Sequence, residues 1–400
     1  MRVVGIIAEY NPLHNGHIYH LERARQLSGA DYCIVVMSGN FAQRGEPACA
    51  DKFLRAEWAV RAGADLVLEL PSVYAVASAE RFALGGVRTL LGSGVVTDLA
   101  FGCEAQDIGL LRRLSEILIT EPPRFREALH RHLSFGKAYP RARRDALCDY
   151  GVSPDMLDAI EKPNNILALE YLRALNACAP DVRALPITRI GSGYHDQTLS
   201  GTLSSATAIR KSLDSGDTAV LEAMPVFVGG ALLYDRKYPI TERHFSSMLL
   251  YALRTMPPEA IAALPDVGEG FENVISRAAK RAATLDTFYA EIKSKRYTLA
   301  RCKRIAVNAM LGITAEQAYA TIRAHDSVYL HALAFSGASR GLLSEIGKRR
   351  VAPLILRQSD IGACPPLTQQ NLRTDALATD LFAIASESDL RRDSSGPVIV

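Results

Sequence analysis

Val3-Val4-Gly5-Ile6-Ile7-Ala8, followed by Glu9-Tyr10-Asn11-Pro12-Leu13 and then His14-Asn15-Gly16-His17, opens this 400-residue chain. The first run is short, β-branched and free of charge, which reads as a buried strand of a parallel sheet. Past the turn at Asn11-Pro12, the residues His17, Leu21, Ala24 and Leu27 recur at helical spacing with charges between them. Two imidazoles flanking a glycine therefore stand where a central strand hands over to a helix N-terminus. Gly16 lets a ligand approach the backbone, and the helix start supplies free N–H groups and a partial positive charge. The pattern predicts a phosphate site with two cationic donors, His14 and His17, suited to charge developing on a triphosphate as it is split. An H-x-G-H turn by itself has few fixed positions, and a loop histidine is often only a cap or a solvent-facing group. The strand–turn–helix context is what gives this one weight.

Working outward, Tyr32–Met37 reads as a second strand ending in the polar turn Ser38-Gly39-Asn40. A helix from Asp51 to Ala62, with Asp51 as its cap, leads to a buried strand over Ala64–Leu70. A helix over Ala79–Leu91 leads in turn to the strand Asp98–Gly102. This alternation predicts an α/β fold with a doubly wound parallel sheet, whose ligands lie beyond the carboxyl ends of the strands. His14, Ser38–Asn40 and Gly102-Cys103-Glu104 would gather at that edge. Residues 108–179 read as a charged helical insertion, and Pro186–Arg189 as a return to the sheet. The expected division is a nucleotide-binding domain over 1–214 and a mainly helical domain over 215–400, with apolar faces at Phe245, Leu249 and Leu250 and at Ile305, Met310 and Leu311. A polar tail after Ser386 is expected to fray.

Composition sets wide bounds. With 48% hydrophobic and 22% charged residues the chain is globular and long enough for two domains, and a net charge of +3 does not by itself announce nucleic-acid binding. The seven cysteines (Cys33, Cys49, Cys103, Cys148, Cys178, Cys302 and Cys364) include no C-x-x-C pair, which favours buried thiols in a reducing compartment over disulfides or zinc. The first apolar run is too short for a signal peptide, and the apolar stretch Val226–Leu233 is too short to span a membrane. A cytoplasmic location is expected.

A second constellation lies at Ser204-Ser205-Ala206-Thr207-Ala208-Ile209-Arg210. Ser205 and Thr207 offer hydroxyls near a helix start, and Arg210 a rigid fork able to grip phosphate. Read alone, the segment is an ordinary helix cap with an incidental arginine. Paired with His14-Asn15-Gly16-His17 it resembles the second phosphate signature of the nucleotidylyl transferase superfamily. The likeness then narrows. Gly5–His17, Ser38-Gly39-Asn40-Phe41-Ala42-Gln43-Arg44-Gly45-Glu46-Pro47-Ala48, Phe101-Gly102-Cys103-Glu104, Lys162-Pro163-Asn164-Asn165-Ile166-Leu167, Arg189-Ile190-Gly191-Ser192-Gly193-Tyr194-His195-Asp196 and Ser205–Arg210 together resemble the tRNA(Met) cytidine acetate ligase family. This ordered set runs to about residue 212. The later half matches through Lys295-Arg296-Tyr297-Thr298 and Leu311-Gly312-Ile313-Thr314, and Cys103 stands where the family pattern leads one to expect serine.

The resemblance implies an enzyme that activates acetate with ATP to acetyl-adenylate and passes the acetyl group to the wobble cytidine of elongator tRNA(Met), forming N4-acetylcytidine. It implies an ATP site built from Ile7, Ala8, Glu9, Tyr10, Asn11, Pro12, Leu13, His14, Asn15, Gly16, His17, Ile18, Tyr19 and His20. Gly102, the Asn164-Asn165 pair, Arg189 and the Ser205, Thr207 and Arg210 turn complete it. Splitting the α-phosphorus bond calls for charge neutralisation more than covalent help. His14, His17 and Arg210 suit that task, with magnesium as an expected companion whose ligands no motif identifies. His195 is a conceivable base for the cytidine amine, though nothing in the sequence fixes its geometry.

Between Arg277 and Arg304 lie nine cations (Arg277, Lys280, Arg281, Lys293, Lys295, Arg296, Arg301, Lys303 and Arg304) against Asp286 and Glu291, with Tyr289 and Tyr297 interleaved. Such a run is either a solvated helix face or an RNA footprint in which cations hold phosphates and rings stack on bases. The second reading makes Lys293, Lys295, Arg296, Arg301, Lys303 and Arg304 tRNA contacts, with Lys348-Arg349-Arg350 as a smaller patch. Two other classes compete. A class I aminoacyl-tRNA synthetase shares the H-x-G-H turn, and Lys293-Ser294-Lys295 is faintly similar to its second signature. A non-catalytic, nucleotide-sensing RNA-binding module would need the same pocket.

Overall fold

A computed structural model of the chain describes residues 1–104, 108–137, 139–159, 161–189, 201–235, 237–324 and 327–400. Ile190, the Gly191–Asp196 motif and His195 lie outside the described residues. The first strand, β1 (Val3–Ala8), pairs in parallel with β2 (Tyr32–Ser38) and with β4 (Asp98–Cys103). β2 pairs in parallel with β3 (Leu66–Leu70), and β4 with β5 (Arg183–Thr188). The order β5-β4-β1-β2-β3 is doubly wound and reverses direction between β1 and β4, the position at which such sheets bind ligands.

Successive residues of these strands serve two separate cores. Val3, Ile34, Val36, Leu66, Leu68 and Leu70 face one, whereas Val4, Ile6, Cys33, Val35, Met37 and Val67 face the other. Burial on both faces explains why β1 and β2 read as apolar runs rather than alternating ones, and why β3 does so apart from Glu69. The helix Asn15–Ser28 packs Leu21 and Ala24 onto the sheet, but Leu27, expected on that face, is 43% exposed, because the helix ends at Ser28 with Gly29 in a left-handed cap. Asp51 caps the helix Lys52–Arg61 as expected, its carboxylate accepting from the N–H groups of Phe53 and Leu54 at 2.9 and 3.0 Å.

The sheet continues into the second half of the chain, which was expected to be mainly helical. β6 (Leu330–Phe335) pairs antiparallel with β3, and β7 (Leu354–Ile355) and β8 (Val398–Ile399) pair in parallel with β6. Val220, Met224, Val228 and Leu232 pack into the core beneath β1 and β2. Residues on both sides of 214/215 therefore share the sheet and its cores. The tail beyond Ser386 is not frayed: β8 lies in it, and Asp393 forms a 2.7 Å ion pair with the fully buried Lys52. The remainder of the second half is helical, and no helix among the described residues is long and apolar enough to cross a membrane. Cys33, Cys49, Cys103, Cys302 and Cys364 are buried, and all seven thiols are free.

Candidate functional site

Three helices begin at one cavity, and their starts are what the fold brings together. They are Asn15–Ser28 after β1, Pro163–Cys178 at the end of the insertion, and Ala206–Asp214. Gly16 and His17, Asn164, and Ala206 and Thr207, from the first turns of these helices, all line the same space, as does Leu167 one turn further along the second. Each N-terminus carries about half a positive charge from its aligned peptide dipoles, so the cavity favours an anion. Its floor is the carboxyl ends of β1, β4 and β5 through Glu9, Gly102 and Thr188, next to the point where the strand order reverses. Phe82, Phe101 and Tyr171 supply aromatic surface.

The H-x-G-H turn is locked by its own backbone. His14 caps the helix: its Nδ1 accepts from Gly16 N–H at 3.1 Å, while His17 Nδ1 accepts from His14 N–H at 3.3 Å. With both Nδ1 atoms accepting, the ring protons sit on Nε2, which leaves two N–H donors. The rings stack at 3.8 Å, and Tyr10 meets His17 edge-on at 4.9 Å. Tyr10 holds a φ of 45°, rare and costly for a bulky residue, and is kept there by near-complete burial. Gly16 is needed for His14, since a Cβ there would lie 2.9 Å from His14 Cε1. A Cβ at Gly102 would meet Arg189 Cγ at an ordinary 3.5 Å, so that glycine leaves room in the cavity instead of relieving a clash.

Electrostatics correct one expectation. Burial, with Arg189 and Arg210 nearby, pushes the His14 pKa down to about 3. Burial, then His14, Arg189 and His20, lowers His17 well below its ordinary value, and burial with Arg189 takes His20 to about 4. The imidazoles of the unliganded protein are therefore neutral hydrogen-bond donors, and the formal positive charge comes from Arg44, Arg189 and Arg210 in the lining.

These arginines are held in place. Arg189 Nη1 donates to Asn164 Oδ1 at 3.1 Å, and Asn164 donates to the Glu104 carboxylate. Asn165 is fully buried and its Oδ1 accepts from Glu104 N–H at 2.8 Å, so it holds the loop after β4 while Asn164 faces the cavity. Arg210 Nη1 donates to Asn11 O at 2.8 Å and its other nitrogen pairs with Glu46 at 3.4 Å. Ser205 caps its helix through Ala208 N–H at 3.1 Å, the plain structural role, and Thr207 lines the cavity. Arg55, wholly buried, donates to Glu9 O at 2.6 Å and to Ser38 O at 3.1 Å, which ties the ends of β1 and β2 together.

Of the ATP-site expectations, Ile7, Ala8, Glu9, Tyr10, Asn11, His14, Gly16, His17, Tyr19, His20, Gly102, Asn164, Arg189, Ser205, Thr207 and Arg210 line the cavity. Pro12, Leu13, Asn15, Ile18 and Asn165 do not. Leu13 is core, and Asn15 donates to Thr202 O and Glu222 O, bracing the helix start. Cys103, the departure from the family pattern, points into the core and not the cavity, so its side chain leaves the lining unchanged. Gln43, Arg44 and Glu46 also line the site. Their loop was part of the resemblance, but no periodicity marks which of its side chains turn inward.

The basic run over 277–304 divides. Lys293, Lys295 and Arg296 are exposed, but Lys303 pairs with Glu46 at 2.9 Å and Glu242 at 3.0 Å, and Arg304 with Asp266 at 3.0 Å. Arg301 donates to Asp266 O and lies over the Tyr297 ring. Tyr289 and Tyr297 are each 5% exposed, and Tyr297 is stacked on Phe271 at 3.5 Å, so neither ring is presented to a base.

For a metal, Glu69, His331 and Asp393 have suitable spacing, but the Lys52 ammonium lies 2.7 Å from both carboxylates and occupies the position a cation would take. The acidic residues lining the main cavity are Glu9, whose Oε1 accepts from Gln43 N–H at 2.6 Å, and Glu46, which already faces two cations.

Comparison with known proteins agrees with this geometry. A profile of the HIGH Nucleotidyl Transferase family matches residues 1–395. The tRNA(Met) cytidine acetate ligase of Acetivibrio thermocellus is 38% identical over 395 residues, 96% of this chain and 95% of its own length. That of Alkaliphilus metalliredigens is 38% identical over 404 residues, covering 97% and 95%. Two crystal structures of Thermotoga maritima TmcAL, 32% identical and matching over 100% of both chains, superpose with TM-scores of 0.95 for the apo form and 0.93 for the form bound with alpha-thio ATP. The chain belongs to the tRNA(Met) cytidine acetate ligase family, within the HIGH nucleotidyl transferases.

Proposed function

We propose that the protein is an ATP-dependent ligase that activates acetate as acetyl-adenylate and acetylates N4 of the wobble cytidine in elongator tRNA(Met), in the cytoplasm where ATP and tRNA meet. The observation that carries this reading is the convergence of three helix N-termini, two Nε2–H donors and three arginines on one cavity at the switch point of the sheet. In the first step an acetate oxygen attacks the α-phosphorus and pyrophosphate leaves. In the second, the cytidine N4 attacks the acetyl carbonyl, AMP leaves and N4 loses a proton. His14 and His17 are assigned the donors to phosphate oxygens whose charge grows in the first step, with Arg189 and Arg210 flanking them. Phe82, Phe101 and Tyr171 would face the adenine or the incoming base.

Magnesium fits here as a companion of the triphosphate. Both lining carboxylates already hold protein donors, so phosphate oxygens and water would supply most of its ligands. When bound, it would neutralise charge on the leaving pyrophosphate.

Pyrophosphate release tests the reading against its rivals. Release with ATP and acetate, but not with any member of an amino-acid panel, separates this enzyme from an aminoacyl-tRNA synthetase. Release under no condition would instead support a nucleotide-sensing module. N4-acetylcytidine should then appear in elongator tRNA(Met), and should be lost when the wobble cytidine is replaced by uridine.

A further inference from the structure

The insertion between β4 and the helix Pro163–Cys178 leaves and rejoins the protein at the rim of the cavity, where Glu104 at its start bonds to Asn164 and Asn165 at its end. Within it, the helices Pro123–Ser134 and Tyr139–Tyr150 pack together as a hairpin. Phe125, Ala128, Leu129, Ala142, Ala146 and Leu147 make its buried seam. Phe135, at the connection, takes no part in that seam and is 74% exposed.

The charge around this ring is mainly positive. The two helices and their connection, residues 123–150, hold seven arginines and lysines against Glu127, Asp145 and Asp149, in a chain whose net charge is only +3; of the seven, Arg143 is buried against Glu170 and Arg144 pairs with Glu161. Arg124 and Arg126 are exposed and have no carboxylate partner among the described residues. Arg131 pairs with Asp149 at 2.5 Å on the open surface, and Lys137 with Asp145 at 2.7 Å at its half-buried edge. Such pairs are worth little and exchange readily for phosphate. A partner suited to this tip must offer a flat apolar face and negative charge side by side. Unpaired nucleotides do so, with a π-face on every base and a phosphate between each.

We propose that the hairpin tip is a contact for the substrate tRNA. Phe135 stacks on an unpaired base other than the one being acetylated, while Arg124, Arg126 and Arg131 hold the neighbouring phosphates. The assignment rests on the tRNA reading above, and it places the base-stacking surface on the insertion instead of the 277–304 run, whose tyrosines are buried.

The test is binding of an elongator tRNA(Met) transcript, titrated over a range of salt, beside acetate-dependent pyrophosphate release. Phe135→Ala should weaken tRNA affinity roughly five- to a hundredfold, the range found when a base-stacking aromatic is removed. Pyrophosphate release should not change, and Phe135→Trp should restore affinity. Arg126→Ala should flatten the slope of log affinity against log salt by roughly 0.7 to 0.9. Wild-type affinity and slope in both alanine variants would overturn the proposal. So would a change confined to self-association in sedimentation or to binding of anionic vesicles. If the wild-type enzyme acetylates no tRNA at all, the reading beneath the proposal falls first and takes it along.

Discussion

At the scale of single residues, the HIGH turn works by geometry more than by formal charge. Each Nδ1 is committed to a backbone N–H, so each imidazole is held in one tautomer with Nε2–H as donor. Removing either ring, in His14→Ala or His17→Ala, should lower acetate-dependent adenylate formation by roughly a hundredfold or more, with the thermal transition little changed. Near-wild-type turnover in both variants would refute the assignment. A pH effect follows from burial. His14 titrates at about 3 in the folded protein against an ordinary 6.5, so between these values the unfolded chain binds more protons. Its contribution to stability is complete above about pH 6.5 and is lost as the pH falls toward 3. An imidazolium would carry a proton on Nδ1 and lose the bond from Gly16 N–H, so His14 should stay a neutral Nε2–H donor beside a bound triphosphate. Calorimetry near pH 6 in buffers of different ionisation enthalpy should show equal proton uptake on ATP binding in the wild type and in His14→Ala. Greater uptake in the wild type would mean that the nucleotide draws the ring into its charged form.

At the scale of elements, capping does much of the positioning. The first helix is capped by His14 itself, the one at Ala206 by Ser205, and the one at Lys52 by Asp51. Asp51 has a second duty, since its other oxygen accepts from Tyr238 OH at 2.6 Å, which joins this helix to the chain beyond the boundary expected from sequence. Asp51→Ala should therefore cost about 2 kcal/mol, the upper part of the range for a lost cap. Asp51→Asn, which keeps an acceptor for Phe53 and Leu54 N–H, should cost less. Chemical denaturation measures both, and a loss below about 0.5 kcal/mol for the alanine variant would show that Tyr238 finds another partner. Asp51 does not line the cavity, so ATP affinity should be unaffected.

At the scale of the whole molecule, a buried ionic cluster binds together distant parts of the chain. Lys52, on a helix of the first half, pairs with Glu69 of β3 and with Asp393 of the C-terminal tail, and His331 of β6 contacts Glu69 at 2.7 Å. Burial opposes the charge on Glu69, but Lys52 and His331 hold its carboxyl below the usual range. Lys52→Met would leave two carboxylates without their cation and should cost about 3–5 kcal/mol, read as a lowered unfolding midpoint. A stable variant would show that the carboxylates take up protons or water at little cost.

The features legible in the residues alone are local. The strand–turn–helix at Val3–Ser28, the Asp51 and Ser205 caps and the parallel run of β1 to β4 follow from spacings within a few dozen residues, because propensity, capping and hydrophobic period act over that range. Most of the cavity lining was legible only through the family resemblance, since it draws on segments from Ile6 to Arg210 that no local spacing connects. Leu330-His331-Ala332-Leu333-Ala334-Phe335 shows no period that separates strand from helix, and the edge of β3 made it a strand. The same holds for Val398-Ile399, ordered by β6 in a tail whose composition is polar. Tyr297 and Lys303 sit in a basic stretch yet face a ring and two carboxylates inside the molecule. The neutrality of His14, too, belongs to the fold. Desolvation and the fields of Arg189 and Arg210 depend on which distant segments surround the ring, and only the tertiary structure decides that.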